Sequence, residues 1–205
     1  MTVSPRKQPR QARSKATVDA ILDAAARVLV EDGYDKLTTN RIAKIAGVSI
    51  GSLYQYFPNK QAVALAVADR HAHEMITLLG QTLTELSDAS IPVAVRTYVK
   101  TMIDIHAKEP ELHQALVQLV LQVGLDKFEQ TDQLAVDLIS TYLAQHCDEV
   151  LPNDPKTAAW VLMTSVEALT HMFALKQPDF ITQDALADEI TAIVLRYLYG
   201  QPTIT

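Results

Sequence analysis

Side chains able to form hydrogen bonds are concentrated in a short stretch of the N-terminal third of the chain. Between residues 38 and 60, hydroxyl, amide, phenol and ammonium groups are interleaved with aliphatic residues at helical spacing. The chemistry open to such groups is the recognition of phosphate oxygens and base edges. The candidate contact residues are Thr39, Asn40, Ser49, Ile50, Gly51, Ser52, Tyr54, Gln55, Tyr56 and Lys60.

Two short helices joined by a glycine turn are predicted to position these groups. Thr39 is expected to cap the first helix, which would bury Ile42, Ile45 and Ala46. Gly47 supplies the residue with positive φ at which such a helix commonly ends.

The second helix is predicted to begin at Ser49 as its N-cap. Leu53 and Phe57 lie four residues apart, so both should point inward. Pro58-Asn59 would end this helix, with Asn59 capping the next one. A helix that leaves small, polar and tyrosyl groups on its outer side, after a tight turn, is typical of a helix-turn-helix that reads the major groove of DNA.

The stretch from Ser14 to Lys60 resembles the tetracycline-repressor (TetR) family of bacterial transcription regulators. The most specific parts are Ile42-Ala43-x-x-Ala46-Gly47-Val48-Ser49 and Leu53-Tyr54-x-Tyr56-Phe57-x-x-Lys60. The resemblance implies that Thr39, Tyr54, Tyr56 and Lys60 contact phosphates of a double-stranded operator. The side-chain chemistry of Asn40, Ile50, Ser52 and Gln55 makes these residues the candidates for base contacts.

Charge is distributed very unevenly along the chain. The first 60 residues contain 10 Lys and Arg against 5 Asp and Glu, whereas the rest contain 8 against 19. This asymmetry indicates a nucleic-acid-binding end joined to a domain with a different task. Arg6, Lys7, Arg10, Arg13 and Lys15 precede the first acidic residue, and they are interpreted either as a solvated tail or as an arm that contacts DNA.

The fold is expected to be all-α, with nine helices and two domains. A basic flexible arm would occupy residues 1–13, a three-helix DNA-binding domain residues 14–60, and an effector-binding and dimerisation domain residues 61–205. No window alternates convincingly with the period of a strand.

The chain is expected to act in the cytoplasm. Cys147 is the single cysteine, so no internal disulfide can form, and the N-terminus lacks the apolar core of a signal peptide. No run of 18 apolar residues occurs, and no membrane association is expected.

Homodimerisation is predicted through the last two helices, within about residues 155–199. Both are apolar on more than one side, and such a helix needs two packing partners. In the resembled family this pair forms a four-helix bundle with its symmetry mate, and a two-fold dimer matches a palindromic operator.

The acidic domain is expected to bind a small effector. The resemblance implies a pocket between the middle helices, whose occupation moves the long helix after the DNA-binding head. The candidate lining residues are Met102, His106, Gln118, Gln122, Met163 and Glu167. The negative balance of this domain favours a neutral or cationic apolar effector over an anion.

Catalysis is not expected, and no cofactor or metal is predicted. His71-x-x-Glu74 and Glu167-x-x-x-His171 each place a histidine and a carboxylate on one helical face, but a closed metal site needs more ligands. Two alternatives stay open: a constitutive DNA binder without an effector, and a helical-bundle metalloenzyme.

Overall fold

The computed structural model describes residues 12–123, 129–152, 154–176 and 178–200. Within them every regular element is an α-helix, which confirms the predicted all-α fold. The helices are α1 Ala12–Asp32, α2 Thr39–Ala46, α3 Ile50–Tyr56, α4 Lys60–Glu85, α5 Ile91–Lys108, α6 Pro110–Val123, α7 Glu129–Gln145, α8 Pro155–Lys176 and α9 Gln183–Tyr199.

The chain divides into two compact units. The head unit comprises Met1–His73 and Glu111–Glu129, and the body unit comprises Glu74–Pro110 and Gln130–Thr205. Each unit has its own apolar core. Residues Arg6, Lys7 and Arg10 of the predicted basic arm lie outside the described residues.

The head core is built on α1, α2, α3 and α4 together with α6. Leu53 and Phe57 are fully buried in it, as their spacing predicted. Each side chain of this size contributes about 1.5–3 kcal/mol on burial. Helix α1 ends just before Gly33, which adopts a positive φ of 74° and whose N–H donates to Leu29 O at 3.0 Å.

Two predictions about α2 were wrong. Its N-cap is Thr38, whose hydroxyl accepts from Arg41 N at 3.3 Å, so that Thr39 is the first helical residue. Ile45 is 40% exposed rather than buried. In a helix of 8 residues, the buried side is set by Ile42 and Ala43 alone, and Ile45 lies off it.

The body core is formed by α5, α7, α8 and α9 with the end of α4. α5 packs against both α8 and α9. On its outer side two ion pairs repeat with the helical period: Arg96 Nη2 lies 2.6 Å from Asp188 Oδ1, and Lys100 Nζ lies 2.8 Å from Asp184 Oδ1. These pairs fix which residues of α5 and α9 face each other.

Side chains cap the N-terminal ends of the last two helices. Asp154 precedes Pro155 and accepts from Lys156 N at 3.1 Å and from the Thr157 hydroxyl. These hydrogen bonds hold the pKa of Asp154 below its usual value. Thr182 caps α9 by accepting from Ala185 N at 3.2 Å.

Helix α8 is apolar well beyond its buried side. Its mean hydropathy over an 18-residue window is 1.3, and by length and composition alone it could cross a membrane, although a core helix of a soluble protein has the same properties. Ala159, Leu162 and Val166 face the body core, whereas Trp160 and Met172 are exposed by 58% and 48%. Exposed apolar residues also occur on α9, at Ile193, Tyr197 and Tyr199.

Candidate nucleic-acid interface and ligand cavity

Local capping chemistry sets the start and orientation of α3. Gly47 ends α2 with a φ of 67°, as predicted. Ser49 then caps α3, since its Oγ accepts from Ser52 N at 3.0 Å, and the two serine hydroxyls lie 2.8 Å apart. Removing such a cap costs about 1 kcal/mol. The two helices are therefore held at a tight turn by residues adjacent in sequence.

A hydrogen bond joins α2 to α3 on the exposed side of the head. Thr39 Oγ1 and Tyr54 Oη lie 3.1 Å apart. Because Tyr54 is 43% exposed, its ring contributes little to the core. The pair places two hydroxyls side by side, each with capacity left for a phosphate oxygen.

Lys60 is held against the loop that follows α1. Its Nζ donates to Tyr34 O at 3.1 Å and lies 4.5 Å from the centre of the Tyr34 ring. An ammonium has three donors, so this arrangement positions Lys60 and leaves donors for a further acceptor. Asn59, as predicted, caps α4 by accepting from Ala62 N at 2.8 Å.

The guanidinium of Arg41 is turned back onto the head. It donates to Asp32 and lies 3.8 Å from Glu31 Oε2. Both carboxylates come from the end of α1, so this cation ties α2 to α1.

The ten predicted contact residues divide into a buried, a half-buried and an exposed set. Tyr56 belongs to the buried set: it is 9% exposed and packs in the head core, so that only its hydroxyl is a candidate for phosphate contact. Thr39, Ser52 and Lys60 are half-buried. The exposed set consists of Asn40, Ser49, Ile50, Gly51, Tyr54 and Gln55.

An apolar cavity lies inside the body unit. Its volume is about 50 Å³, and its walls are aliphatic side chains, Met163 and the rings of two tyrosines. The lining residues are Leu83, Ala94, Val95, Tyr98, Val99, Ile139, Tyr142, Leu143, Leu162, Met163, Val166, Val194 and Leu198. They come from α4, α5, α7, α8 and α9.

The predicted lining residues are only partly brought to this cavity. Met163 lines it. Met102 and His106 are buried in the body unit, where His106 Nδ1 donates to Met102 O at 2.6 Å and its ring lies edge-on to His171 at 4.6 Å. Glu167 is half-buried on α8, one residue beyond Val166 of the lining.

Gln118 and Gln122 lie on α6 in the head unit and are exposed. The histidine of the His71-x-x-Glu74 pair also lies in the head unit, where His71 Nε2 is 3.4 Å from His113 Nδ1. Because α6 is part of the head unit, Gln118 and Gln122 do not belong to the body unit that contains the cavity.

Two tyrosines that line the cavity, Tyr98 and Tyr142, were not predicted from the sequence. Burial, followed by the charge of Glu167, raises the pKa of Tyr98 well above its ordinary value, so its hydroxyl stays protonated at neutral pH. The hydroxyl of Tyr142 is buried without a hydrogen-bond partner among the described residues, and burial raises its pKa too. An aromatic residue in an apolar stripe gives no sequence signal that separates a cavity wall from ordinary core.

Comparison with known proteins identifies the family. Residues 21–67 match the model of bacterial regulatory proteins of the tetR family, and residues 90–198 match the tetracyclin repressor-like C-terminal domain. The HTH-type transcriptional regulator YvkB of Bacillus subtilis is 30% identical over 132 residues, which cover 62% of this chain and 68% of YvkB.

Two solved structures show the same fold at lower identity. FadR of Bacillus subtilis in complex with stearoyl-CoA has a TM-score of 0.70 at 18% identity, over 88% of this chain and 99% of FadR. SmeT, the repressor of the Stenotrophomonas maltophilia multidrug efflux pump SmeDEF, has a TM-score of 0.67 at 23% identity, over 91% and 92%. With both the helix-turn-helix and the C-terminal domain matched, this chain belongs to the TetR family of bacterial DNA-binding transcriptional regulators.

Proposed function

We propose that this protein binds a palindromic operator as a homodimer and is released from it by a small apolar effector. The observation that carries the proposal is the apolar cavity of the body, whose wall includes Leu83 of α4. The same helix begins at Lys60, directly after the helix-turn-helix. A ligand that displaces Leu83 would thus act on a helix that continues into the DNA-binding head.

Operator binding is proposed to use the exposed side of α2 and α3. Thr39, Tyr54 and Lys60 would contact phosphates, together with the hydroxyl of Tyr56. The exposed groups of Asn40, Ile50 and Gln55 would face the base edges, with Ser49, Gly51 and Ser52 at the contact surface. Phosphate contacts fix the position of the head, and base contacts select the sequence. Because the target is chromosomal DNA, the protein would act in the cytoplasm.

The homodimer is proposed to form through α8 and α9. Trp160, Met172, Ile193 and Tyr197 are exposed by 58%, 48%, 51% and 38%. An apolar surface of this kind on two neighbouring helices is the sort of patch that marks an interface. Pairing of this surface between two copies across a two-fold axis would give a four-helix bundle. The two copies of α3 would then be separated by about one turn of DNA, ~34–36 Å.

The effector is proposed to be neutral and largely apolar. None of the described residues that line the cavity is charged, so an ion would lose its hydration without gaining a partner among them. FadR was solved with stearoyl-CoA, and SmeT represses a multidrug efflux pump. The stearoyl chain of the FadR ligand is apolar, although its CoA part carries phosphates, so that complex supports the apolar character of the proposed effector and not its neutrality.

Release is proposed to follow from the small size of the cavity. Its volume of about 50 Å³ has room for only a few water molecules. Ligand pockets in proteins commonly measure about 300–1,000 Å³. An effector would therefore bind a body with its helices further apart, and it would shift the population toward that arrangement by its difference in affinity.

Operator affinity measured with and without an effector tests this proposal. A duplex selected from a random pool serves as operator, and a screen of neutral apolar compounds by thermal shift supplies the candidates. A compound that raises the melting temperature should weaken operator binding by about 5- to 150-fold. The variant Val166→Trp fills the cavity and should abolish the thermal shift. A compound that binds in the cavity without changing operator affinity would favour the constitutive DNA binder instead.

A further inference from the structure

Helix α3, the second helix of the helix-turn-helix, carries no charged side chain. α3 has the sequence Ile50-Gly51-Ser52-Leu53-Tyr54-Gln55-Tyr56. Guanine is most often recognised in the major groove by Arg or Lys, which donate to its O6 and N7. α3 cannot form that contact.

The neighbouring cations of the head are already positioned for other tasks. Arg41 is engaged with Asp32 and Glu31, and Lys60 is engaged with Tyr34. Lys44 is exposed, but it belongs to α2, the helix that crosses the DNA backbone in this motif. These cations are therefore suited to structure or to phosphates rather than to bases.

The hydroxyls of Tyr54 and Ser52 already have partners within the head. Tyr54 Oη lies 3.1 Å from Thr39 Oγ1, and Ser52 Oγ lies 2.8 Å from Ser49 Oγ. Two exposed side chains of α3 remain as distinctive groups: the aliphatic Ile50, which is 39% exposed, and the amide of Gln55.

Gly51 lies between these residues and leaves the helix surface open. A Cβ at Gly51 would have only Ser49 Oγ in its vicinity, at 3.8 Å. The absence of a side chain there would allow base edges to approach the backbone of α3 closely, so that Ile50 and Gln55 on the same helix could reach a base pair.

We propose that α3 reads A·T base pairs, with Ile50 against the 5-methyl group of thymine and Gln55 paired with N6 and N7 of adenine. The inference rests on the proposed operator binding by the head. It specifies the operator: the positions contacted by α3 are A·T pairs, and no guanine there is bound by this helix. Apolar contact with the thymine methyl and amide pairing with adenine are the readout modes that such side chains support.

Base analogues test the assignment atom by atom. A duplex is first selected from a random pool with the full-length protein. Each thymine of the half-site is then replaced by uracil, which lacks the 5-methyl group, and each adenine by 7-deazaadenine, which lacks N7. Loss of the methyl contact should weaken binding about fourfold. Loss of the N7 contact, one of the two hydrogen bonds to adenine, should weaken it roughly 2- to 13-fold.

Matched variants assign each effect to a side chain. Ile50→Ala should bind the thymine and uracil duplexes equally, whereas Ile45→Ala, which truncates an equally exposed isoleucine of α2, should retain the preference for thymine. Gln55→Ala should lose its sensitivity to 7-deazaadenine. Both sites are exposed, and unchanged thermal unfolding checks that the variants are folded.

The possible outcomes separate this inference from the proposed function. Tight binding of a selected duplex, unaffected by uracil and by 7-deazaadenine, would overturn the A·T assignment and leave operator binding intact. The assignment would also be overturned if replacing a guanine of the half-site by 7-deazaguanine weakened binding of the unaltered protein but not of the Ile50→Ala or Gln55→Ala variant. Failure to select any duplex would overturn both proposals.

Discussion

The hydroxyls of Thr39 and Tyr54, 15 residues apart in sequence, meet at 3.1 Å and tie the first turn of α2 to the middle of α3. We expect this bond to hold the two helices in the geometry that fits the DNA. A double-mutant cycle with Thr39→Val and Tyr54→Phe should give a coupling energy of about 0.5 kcal/mol in the free energy of unfolding, because the pair is exposed. The same cycle in operator affinity should give a larger value. Additive effects in both measurements would show that the two hydroxyls act separately.

Gly51→Ala should stabilise the protein and weaken operator binding. Alanine favours a helix over glycine by roughly 0.5–1 kcal/mol, and nothing closer than 3.8 Å opposes the new methyl group. The methyl would stand between α3 and the bases. Urea unfolding and operator titration measure the two effects, and unchanged operator affinity would mean that α3 does not approach the bases at this position.

Lys60→Ala should weaken binding to all duplexes and lower the slope of log K against log salt by about one unit. Since Lys60 also donates to Tyr34 O, the variant should lose some stability of the head. Lys176→Ala removes an equal charge from the end of α8 and should leave the slope unchanged. If both variants had the same slope as the unaltered protein, the proposed phosphate contact of Lys60 would be wrong.

Ile193→Glu should produce monomers with poor affinity for the operator. Ile193 is 51% exposed on α9, where a carboxylate would oppose pairing with a second copy. Val93→Glu places the same group at a residue of α5 that is 53% exposed, and it should leave the assembly unaffected. Sedimentation at micromolar concentration distinguishes the two species. Dimers of Ile193→Glu as stable as those of the unaltered protein would exclude this part of α9 from the interface.

Tyr98→Phe should reduce the loss of stability at high pH. Burial and Glu167 raise the pKa of Tyr98 above its ordinary value of 10.0, so ionisation is favoured in the unfolded chain. The stabilising effect is complete below about pH 10 and is lost as the pH rises above it. Urea unfolding from about pH 8 to about pH 11 measures this, with Tyr54→Phe as an exposed control. An identical pH dependence for the Tyr98→Phe variant would contradict the assignment.

The helix ends were predictable from sequence because capping is local. Ser49 and Asn59, the predicted caps of α3 and α4, each accept from the backbone N–H three residues ahead. The same chemistry could not distinguish Thr38 from Thr39, since both neighbours can cap α2 and the choice depends on where the first turn closes.

The cavity was much less predictable than the head. Five helices form its wall, and the inward position of Tyr98 or Val194 depends on how these helices pack together. On α9, Leu195 packs against the body core, whereas Ile193, two residues earlier, is exposed. A helix apolar on two sides has no polar face to fix its orientation, so hydrophobic periodicity alone cannot assign these residues.

Because α8 has an exposed apolar side, the stability and the proteolytic lifetime of the protein should depend on its concentration. If two copies pair through Trp160, Met172 and the neighbouring part of α9, the concentration of the dimer depends on the square of the monomer concentration. The melting temperature would then rise with protein concentration, since mass action favours the associated form. A newly made chain, present in few copies, would carry this surface uncovered and would be the form most open to proteolysis. The rate at which the protein is degraded would therefore fall as its concentration rises.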